Sequence, residues 1–234
     1  MELRPQSALP PVVKNLILIN ALVWLASLVL PRTTGIDLTD WLGLHYWEAE
    51  RFNLGQLISY MFMHDTGSFS HLLFNMFALW MFGKDLEYVW GPRRFLFYYM
   101  LTGIGAGLSQ ELVWTLSLHD LSQYQTVYTG AEYLPVADYL NLPVTVGASG
   151  SVFGLMAAFA FVFPQARIFL LFPPISLRAP WFVAIYALIE LYGGISTSGG
   201  DHVAHFAHLG GLVFGFLLLF YWKKHGKLYG GEFE

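Results

Sequence analysis

Residues 144–163 read VTVGASGSVFGLMAAFAFVF, a run of apolar and small residues that contains a serine flanked by glycines. With its lead-in, the run is long enough to cross most of a bilayer. Small residues recur at every fourth position, at Gly150, Gly154 and Ala158, and this spacing lets two membrane helices pack backbone to backbone. Taken alone, the stretch fits a catalytic serine helix and a glycine-rich packing face equally well. Both interpretations predict a membrane helix with a close partner helix and place Ser149 just inside its start.

The composition of the whole chain is that of a membrane protein. Of its 234 residues, 56% are hydrophobic and 12% are charged, and the mean hydropathy is +0.51. Soluble domains carry about 25% charged residues. At roughly 20 residues per span, the chain has room for about six or seven helices, so we expect one membrane domain over residues 1–234. The chain has no cysteine, which excludes disulfides and thiol nucleophiles.

Six apolar segments follow one another along the chain. They cover residues 12–30, 69–89, 95–118, 144–163, 181–192 and 202–222. Residues 31–67 are too polar to span and are typical of interfacial pieces, while 117–142 form an acidic outer connection. Residues 193–200 form a loop rich in glycine and serine, which joins the fifth and sixth segments and which we expect to be a mobile cap. The sequence therefore predicts an all-α integral membrane protein with a bundle of six transmembrane helices.

The lysines and arginines orient this bundle in the membrane. With a cytoplasmic N-terminus, all of the 12 lysines and arginines except Arg32 and Arg51 fall on the cytoplasmic side. Such a bias predicts that both termini are cytoplasmic and that the connections 117–147 and 193–200, which have no basic residue, lie outside. We expect the membrane to be a prokaryotic inner or plasma membrane.

Polar side chains from three predicted spans fall at one depth near the outer surface. Ser149 begins the fourth span, His71 and Asn75 lie near the outer end of the second, and His205 and His208 lie in the first two turns of the sixth. Polar groups inside a membrane are costly and usually mark function. The shared depth therefore predicts a functional site close to the outer face.

A serine and a histidine at the same depth favour nucleophilic acyl transfer. A serine hydroxyl needs a base within hydrogen-bond reach, and neutral histidine can supply it. A base on a neighbouring helix reaches the short side chain of Ser149 only if the two backbones come unusually close. Gly211 and Gly215 follow His208 with the same spacing as the two glycines of the serine helix. We therefore expect Ser149 and His208 to meet where these glycine faces pack together.

A tetrahedral oxyanion also needs hydrogen-bond donors. His71 and Asn75 are four residues apart and so lie on one face of a helix, where they present an imidazole and an amide. The backbone N–H of Ser149, at a helix N-terminus, is a third candidate donor. These groups predict an oxyanion hole beside the serine.

Three motifs resemble those of the rhomboid family of intramembrane serine proteases. They are GASG at 147–150, HLLFN at 71–75 and AHLGGLVFG at 207–215, and they occur in the family's order along all six spans. The GxSG pattern alone would be a weak signal, and position 151 lacks the second glycine of the hydrolase elbow. The three motifs together are highly specific.

The resemblance implies a role for each matching residue. Ser149 is the nucleophile, His208 is its base in a dyad without a carboxylate, His71 and Asn75 form the oxyanion hole, and the ring of Phe153 stacks on His208. The expected supporting residues are Gly147, Gly150, Gly211, Gly215 and His205.

Two further positions bear on the family comparison. Glu87 resembles a structural glutamate of the family near the cytoplasmic face. The tryptophan–arginine pair often found in the first outer loop is replaced here by Gly55 and Gln56. The resemblance therefore leaves open how this loop sits in the membrane.

Three histidines and one glutamate near the site have alternative interpretations. His202, His205 and His208 are spaced like possible metal ligands, but successive side chains are rotated by about 60° around the helix and no HExxH motif accompanies them. We therefore predict no metal and no cofactor, and we expect His205 to orient groups or retain water in the polar cavity. Glu190 is an intramembrane carboxylate that we expect to be paired and structural, with a partner that its pattern does not identify.

The sequence thus predicts an intramembrane serine endopeptidase that cleaves transmembrane or membrane-proximal segments near the outer face. Its partners are transmembrane protein substrates and the lipid bilayer, not nucleic acid, and no pattern indicates an oligomeric state. A rhomboid-like pseudoprotease that binds membrane clients is the main alternative, and the presence of both Ser149 and His208 argues against it. A small transporter or channel is a third possibility, but there is no internal repeat and spans four and six are apolar in their lower halves.

Overall fold

The computed structural model describes residues 9–170, 174–196 and 204–228, and helices dominate it. The α-helices of this part of the chain are α1 (Pro11–Thr34), α2 (Leu38–Leu42), α3 (Gln56–Ser59), α4 (Phe69–Trp90), α5 (Pro92–Leu118), α6 (Val136–Leu140), α7 (Ser149–Val162), α8 (Ala179–Ile195) and α9 (His205–Lys224). Short 3-10 helices cover Tyr60–Phe62 and His119–Gln123. Within the described residues, the six helices that match the predicted spans are α1, α4, α5, α7, α8 and α9.

The connections between these helices carry short strands, which the expectation of an all-α chain did not include. They are β1 (Leu44–His45), β2 (Thr126–Tyr128), β3 (Tyr133–Pro135), β4 (Val144–Thr145), β5 (Arg167–Phe169) and β6 (Ser176–Arg178). The strands form three antiparallel pairs, β1 with β4, β2 with β3 and β5 with β6. Each pair satisfies backbone groups in a connection, so the long elements remain purely helical.

The long helices have the surface expected of membrane spans. By length and composition, α1 and α9 are both long and apolar enough to cross a membrane, and α7 and α8 are shorter apolar helices. Large apolar side chains point outward along the bundle, with Leu22 at 64%, Leu112 at 60% and Leu188 at 65% exposure. Exposed apolar side chains on several helices suit contact with lipid.

Some helix ends differ from the predicted ones. The first span was expected to end at Leu30, but α1 continues to Thr34 and is capped by Gly35, whose φ of +74° is the left-handed conformation of a C-terminal cap. Gly193 was expected to begin a loop, but it lies inside α8. The remainder of the predicted 193–200 cap, from residue 197 onward, and His202 lie outside the described residues.

The serine helix α7 is the centre of the bundle. It is shorter than the predicted 144–163 span, because Val144 and Thr145 pair with β1 and Gly147, with a φ of +133°, turns the chain before Ser149. Most side chains of α7 are buried, since α4, α5, α8 and α9 all pack against it. Ser149 is therefore the first residue of an enclosed helix.

The glycine faces of α7 and α9 meet, as their spacing predicts. A Cβ built on Gly211 would collide with the carbonyl oxygen of Gly150, and a Cβ on Gly215 would lie 3.3 Å from the Cα of Gly154. The other flank of α7 packs on α5, where the hydroxyl of Tyr98 donates to the carbonyl of Gly154 at 2.9 Å. Backbone contact between α7 and α9 thus brings their N-terminal ends together.

The buried carboxylate of Glu87 joins α1 to α4. Glu87, which is 2% exposed, accepts the first backbone N–H groups of α1 from Val12 at 2.9 Å and Val13 at 2.8 Å. A carboxylate at a helix N-terminus satisfies donors that have no partner in the helix. Glu87 therefore fastens α1 to α4, as a structural glutamate should.

Gln56, one of the two residues that depart from the family pattern, anchors the connection between α1 and α4. It is fully buried, its Oε1 accepts the N–H of His45 at 3.2 Å, and its Nε2 donates to the carbonyls of Arg51 at 2.8 Å and Trp41 at 3.3 Å. Glu111 of α5 holds the same loop by accepting the N–H of Trp47 at 3.0 Å. The buried side-chain amide of Gln56 thus joins separate parts of this connection by hydrogen bonds to their backbone.

Candidate active site

The N-terminal ends of α7 and α9 place a serine against a histidine. His208 Nε2 lies 2.7 Å from the Oγ of Ser149. Ser149 is the first residue of α7, and His208 lies one turn into α9. The first N–H groups of a helix have no intrahelical acceptor, so the serine sits at the positive end of the α7 dipole. A hydroxyl and an imidazole at this distance have the geometry of a nucleophile and its base.

The aromatic ring of Phe153 stacks on the imidazole of His208. Phe153 follows Ser149 by one turn of α7, and its ring lies parallel to that of His208, with 4.5 Å between centroids and 7° between planes. Stacking of this kind adds about 0.5–1.5 kcal/mol beyond the burial of apolar area. The stacking that the resemblance implied is present, and it keeps Nε2 directed at Ser149.

A carboxylate contacts the other side of the same imidazole. Glu190 Oε2 lies 2.9 Å from Nδ1 of His208 and 2.7 Å from Nδ1 of His205. The resemblance implied a dyad without a carboxylate, and the structure adds this third group. The sequence indicated that Glu190 is paired, and its partners prove to be the two histidines of α9.

His205 fills the gap between α8 and α9 above the dyad. Its imidazole lies against the backbone of Gly193, where an added Cβ would be 2.7 Å from Nε2. This contact explains why a glycine lies inside α8 at this position. In the described residues, no group of three or more histidine, cysteine, aspartate or glutamate side chains is placed to hold a metal ion.

His71 lies near the serine, across Gly147. The N–H of Asp65 donates to its Nδ1 at 3.3 Å, so the proton of the neutral ring is on Nε2. That nitrogen lies beside Gly147, where an added Cβ would be 3.0 Å from it and 3.5 Å from the Oγ of Ser149. Because Gly147 has no side chain, the space next to both the Nε2 of His71 and the Oγ of Ser149 stays open.

Asn75 lies one turn further along α4. Its Nδ2 donates to the carbonyl of His71 at 2.9 Å. A side-chain amide carries two N–H groups, so this bond uses one of them. Asn75 is 7% exposed, and its side chain is held by its own helix.

Ser151, the other hydroxyl of the serine motif, faces away from the site. It is 1% exposed, and its Oγ donates to the carbonyl of Tyr99 at 2.9 Å. Two residues along a helix correspond to a rotation of about 200°, which is why it points at α5. Ser151 ties α7 to α5.

Comparison with known proteins places the site in a family. A family model described as a Rhomboid domain matches residues 51–225. Similar proteins include Rhomboid protein 1, mitochondrial, from Saccharomyces cerevisiae, 29% identical over 168 residues that cover 72% of this chain and 42% of that protein. The rhomboid protease AarA of Providencia stuartii is 29% identical over 161 residues, which cover 68% of this chain and 52% of that protein.

Another relative is the presenilin-associated rhomboid-like protein A, mitochondrial, of Danio rerio, 28% identical over 164 residues that cover 68% of this chain and 37% of that protein. The chain thus spans about half or less of the length of these relatives. The matched region contains all of the side chains described in the site. Because the family match covers most of the sequence, the chain belongs to the rhomboid family, which has an all-helical integral membrane fold.

Proposed function

We propose that the protein is an intramembrane serine endopeptidase in which Ser149 is the nucleophile and His208 the general base. The observation that carries this proposal is the distance of 2.7 Å between Oγ and Nε2. A base must lie within about 2.6–3.2 Å of the proton that it removes. Both groups are partly buried at the ends of two helices in backbone contact, so their separation is maintained by the bundle.

The proposed reaction has two halves, acylation and deacylation of Ser149, and His208 carries the proton in both. The Oγ of Ser149 attacks the carbonyl carbon of the scissile peptide bond, and its proton moves to Nε2 of His208. His208 then gives this proton to the leaving nitrogen, the C–N bond breaks, and an acyl ester remains on Ser149. Water attacks the ester with His208 again as base, which releases the new carboxyl group and restores the serine hydroxyl.

The oxyanion formed in each half needs donors that are already in place. His71 supplies an Nε2–H beside Gly147, the backbone N–H of Ser149 is available at the start of α7, and Asn75 supplies a side-chain amide. Preorganised donors of this kind contribute roughly 3–4 kcal/mol each to the barrier reduction in well-studied hydrolases. The three groups lie on two helices that pack against each other, so little reorganisation is required.

The site's place in the bundle supports a membrane-embedded substrate. The positive-inside pattern favours six spans with both termini cytoplasmic, which places the N-terminal ends of α7 and α9 near the outer face. A peptide bond reaching this layer would belong to a transmembrane or membrane-proximal segment of another protein. The presence of both Ser149 and His208 in contact argues against a client-binding protein without catalysis.

A labelling experiment tests the proposal directly. The purified protein in detergent is incubated with a serine-directed fluorophosphonate and, separately, with a generic single-span substrate. We expect labelling on Ser149 and cleavage of the substrate, and we expect Ser149→Ala and His208→Ala to abolish both while the proteins remain folded. A folded wild-type protein that is neither labelled nor able to cleave would refute the protease and favour the client-binding alternative.

A further inference from the structure

We propose that Glu190 is a positioning residue of the active site and that the chain uses a Ser149–His208–Glu190 triad. This inference rests on the proposed protease function. Its basis is the contact between Glu190 Oε2 and Nδ1 of His208 at 2.9 Å, on the opposite edge of the ring from Ser149. Serine, imidazole and carboxylate thus form one continuous chain of hydrogen bonds across three helices.

The contact selects the tautomer that the chemistry requires. Nε2 of His208 can accept the proton of Ser149 only if the neutral ring carries its own proton on Nδ1. A carboxylate oxygen accepts hydrogen bonds and does not donate them, so Glu190 holds the proton on Nδ1. Phe153 fixes the plane of the ring, and Glu190 fixes its rotation within that plane.

The carboxylate also offsets the charge that forms during catalysis. When His208 takes the serine proton, its ring becomes an imidazolium in a layer where both side chains are nearly enclosed, with 12% exposure for His208 and 11% for Glu190. An adjacent fixed anion stabilises this cation more strongly in a poorly solvated site than it would in water. The effect applies to both halves of the reaction, because each half forms the imidazolium.

His205 gives the carboxylate a second anchor. Its Nδ1 donates to the same Oε2 at 2.7 Å, so two donors from successive turns of α9 hold one oxygen. Charge-assisted hydrogen bonds are about twice as strong as neutral ones, and paired donors restrict the rotation of the carboxylate. Gly193 permits this arrangement, since a side chain there would occupy the space of the His205 ring.

A purely structural role would also place Glu190 between α8 and α9, so the test must separate docking from catalysis. Glu190→Gln retains an oxygen that accepts from both histidines but removes the charge, whereas Glu190→Ala removes the acceptor as well. Glu111→Gln is the matched control, because Glu111 is another buried carboxylate on a long helix and its described partner is the loop N–H of Trp47. Each variant is compared with wild type for its melting temperature in detergent.

The rate of fluorophosphonate labelling reports catalysis without substrate entry. We expect Glu190→Gln to slow labelling at least about 10-fold and Glu190→Ala about 100-fold or more, since general-base catalysis contributes roughly 10²–10⁴-fold. We expect kcat for a single-span substrate to fall in parallel while KM changes less than about twofold. Glu111→Gln should label at close to the wild-type rate even if its melting temperature falls.

Proton NMR of protein labelled with ¹⁵N-histidine provides a second readout. A strongly hydrogen-bonded Nδ1–H on His208 should appear as a downfield resonance that is lost or shifted upfield in Glu190→Ala. Labelling within twofold of wild type in both Glu190 variants would overturn the triad while leaving the Ser149–His208 protease intact. If each Glu190 variant failed to fold while Glu111→Gln folded, the role would be structural and the proposal would be wrong. Absence of labelling in wild type itself would refute the protease instead.

Discussion

Gly211→Ala is expected to separate the two helices that carry Ser149 and His208. Its Cβ would meet the carbonyl oxygen of Gly150 well inside contact distance and would lie 2.8 Å from the carbonyl carbon of that residue. These atoms belong to the backbone of α7, which is enclosed by four other helices, so they cannot rotate away. The strain is relieved when α9 moves outward.

The size of that movement follows from van der Waals contact. Carbon atoms pack at about 3.5–4.0 Å, so a contact of 2.8 Å requires a displacement of roughly 1 Å. His208 lies one turn before Gly211 and moves with it, which lengthens the 2.7 Å bond to Ser149 beyond the ~3.2 Å limit for proton transfer. A misplacement of about 1 Å costs on the order of 100-fold in rate. One overpacked contact costs only about 1–3 kcal/mol of stability.

The assay compares the labelling rate with the melting temperature for Gly211→Ala and for Gly83→Ala. Gly83 is a suitable control because it lies within α4, where the nearest atoms to an added Cβ belong to side chains, of Phe95 and Val13 at 3.1 Å and of Leu79 at 3.4 Å. Gly226, which follows the end of α9, is not suitable as a control variant, since its φ of +67° disfavours any side chain. We expect a loss of about 100-fold in labelling for Gly211→Ala and little change for Gly83→Ala. A Gly211→Ala protein that labels at the wild-type rate would show that this glycine contact does not set the Ser149–His208 distance.

Four further predictions test individual contacts. Ser151→Ala should keep the labelling rate and lose only the stability of the bond to Tyr99, about 1 kcal/mol, which is measurable by chemical or thermal unfolding. Phe153→Leu should slow labelling about 3–10-fold because the ring stacked on His208 is lost, whereas Phe153→Tyr should not. Gln56→Ala should lower the melting temperature, since buried backbone groups lose their partners at a cost of about 1–3 kcal/mol. EDTA or phenanthroline should leave cleavage unchanged, and a loss reversed by zinc would contradict the metal-free mechanism.

Hydropathy predicted the positions of the long helices because each span must bury its backbone hydrogen bonds in lipid. It predicted their ends less well, because the ends depend on contacts that are absent from local composition. Gly193 illustrates this, since glycine and serine after Tyr192 suggested a loop. In the structure Gly193 is helical, and its missing side chain makes room for the ring of His205.

The anchor of the connection between α1 and α4 could not be predicted from the sequence. Gln56 is a polar residue in a polar segment, and its type gives no sign that it is fully buried. Its hydrogen bonds to the backbone of His45, Arg51 and Trp41 depend on how an irregular loop folds over α5. Irregular backbone has no periodicity, so neither helical nor strand patterns identify which loop side chain satisfies it.

Predicted depth along the spans explains why the contact between Ser149 and His208 was predictable and the contact with Glu190 was not. Span boundaries and orientation give the height of each residue along the membrane normal, so Ser149 and His208 could be placed in one layer from sequence alone. Height does not give rotation about a helix axis, and the rotation of α8 decides which neighbour Glu190 contacts. A carboxylate in an enclosed layer nevertheless requires donors at its own height. On α9, the helix that packs against it, these donors are the Nδ1–H groups of His205 and His208. Matching intramembrane carboxylates to donors by depth therefore extends sequence-based prediction from the dyad to the proposed triad.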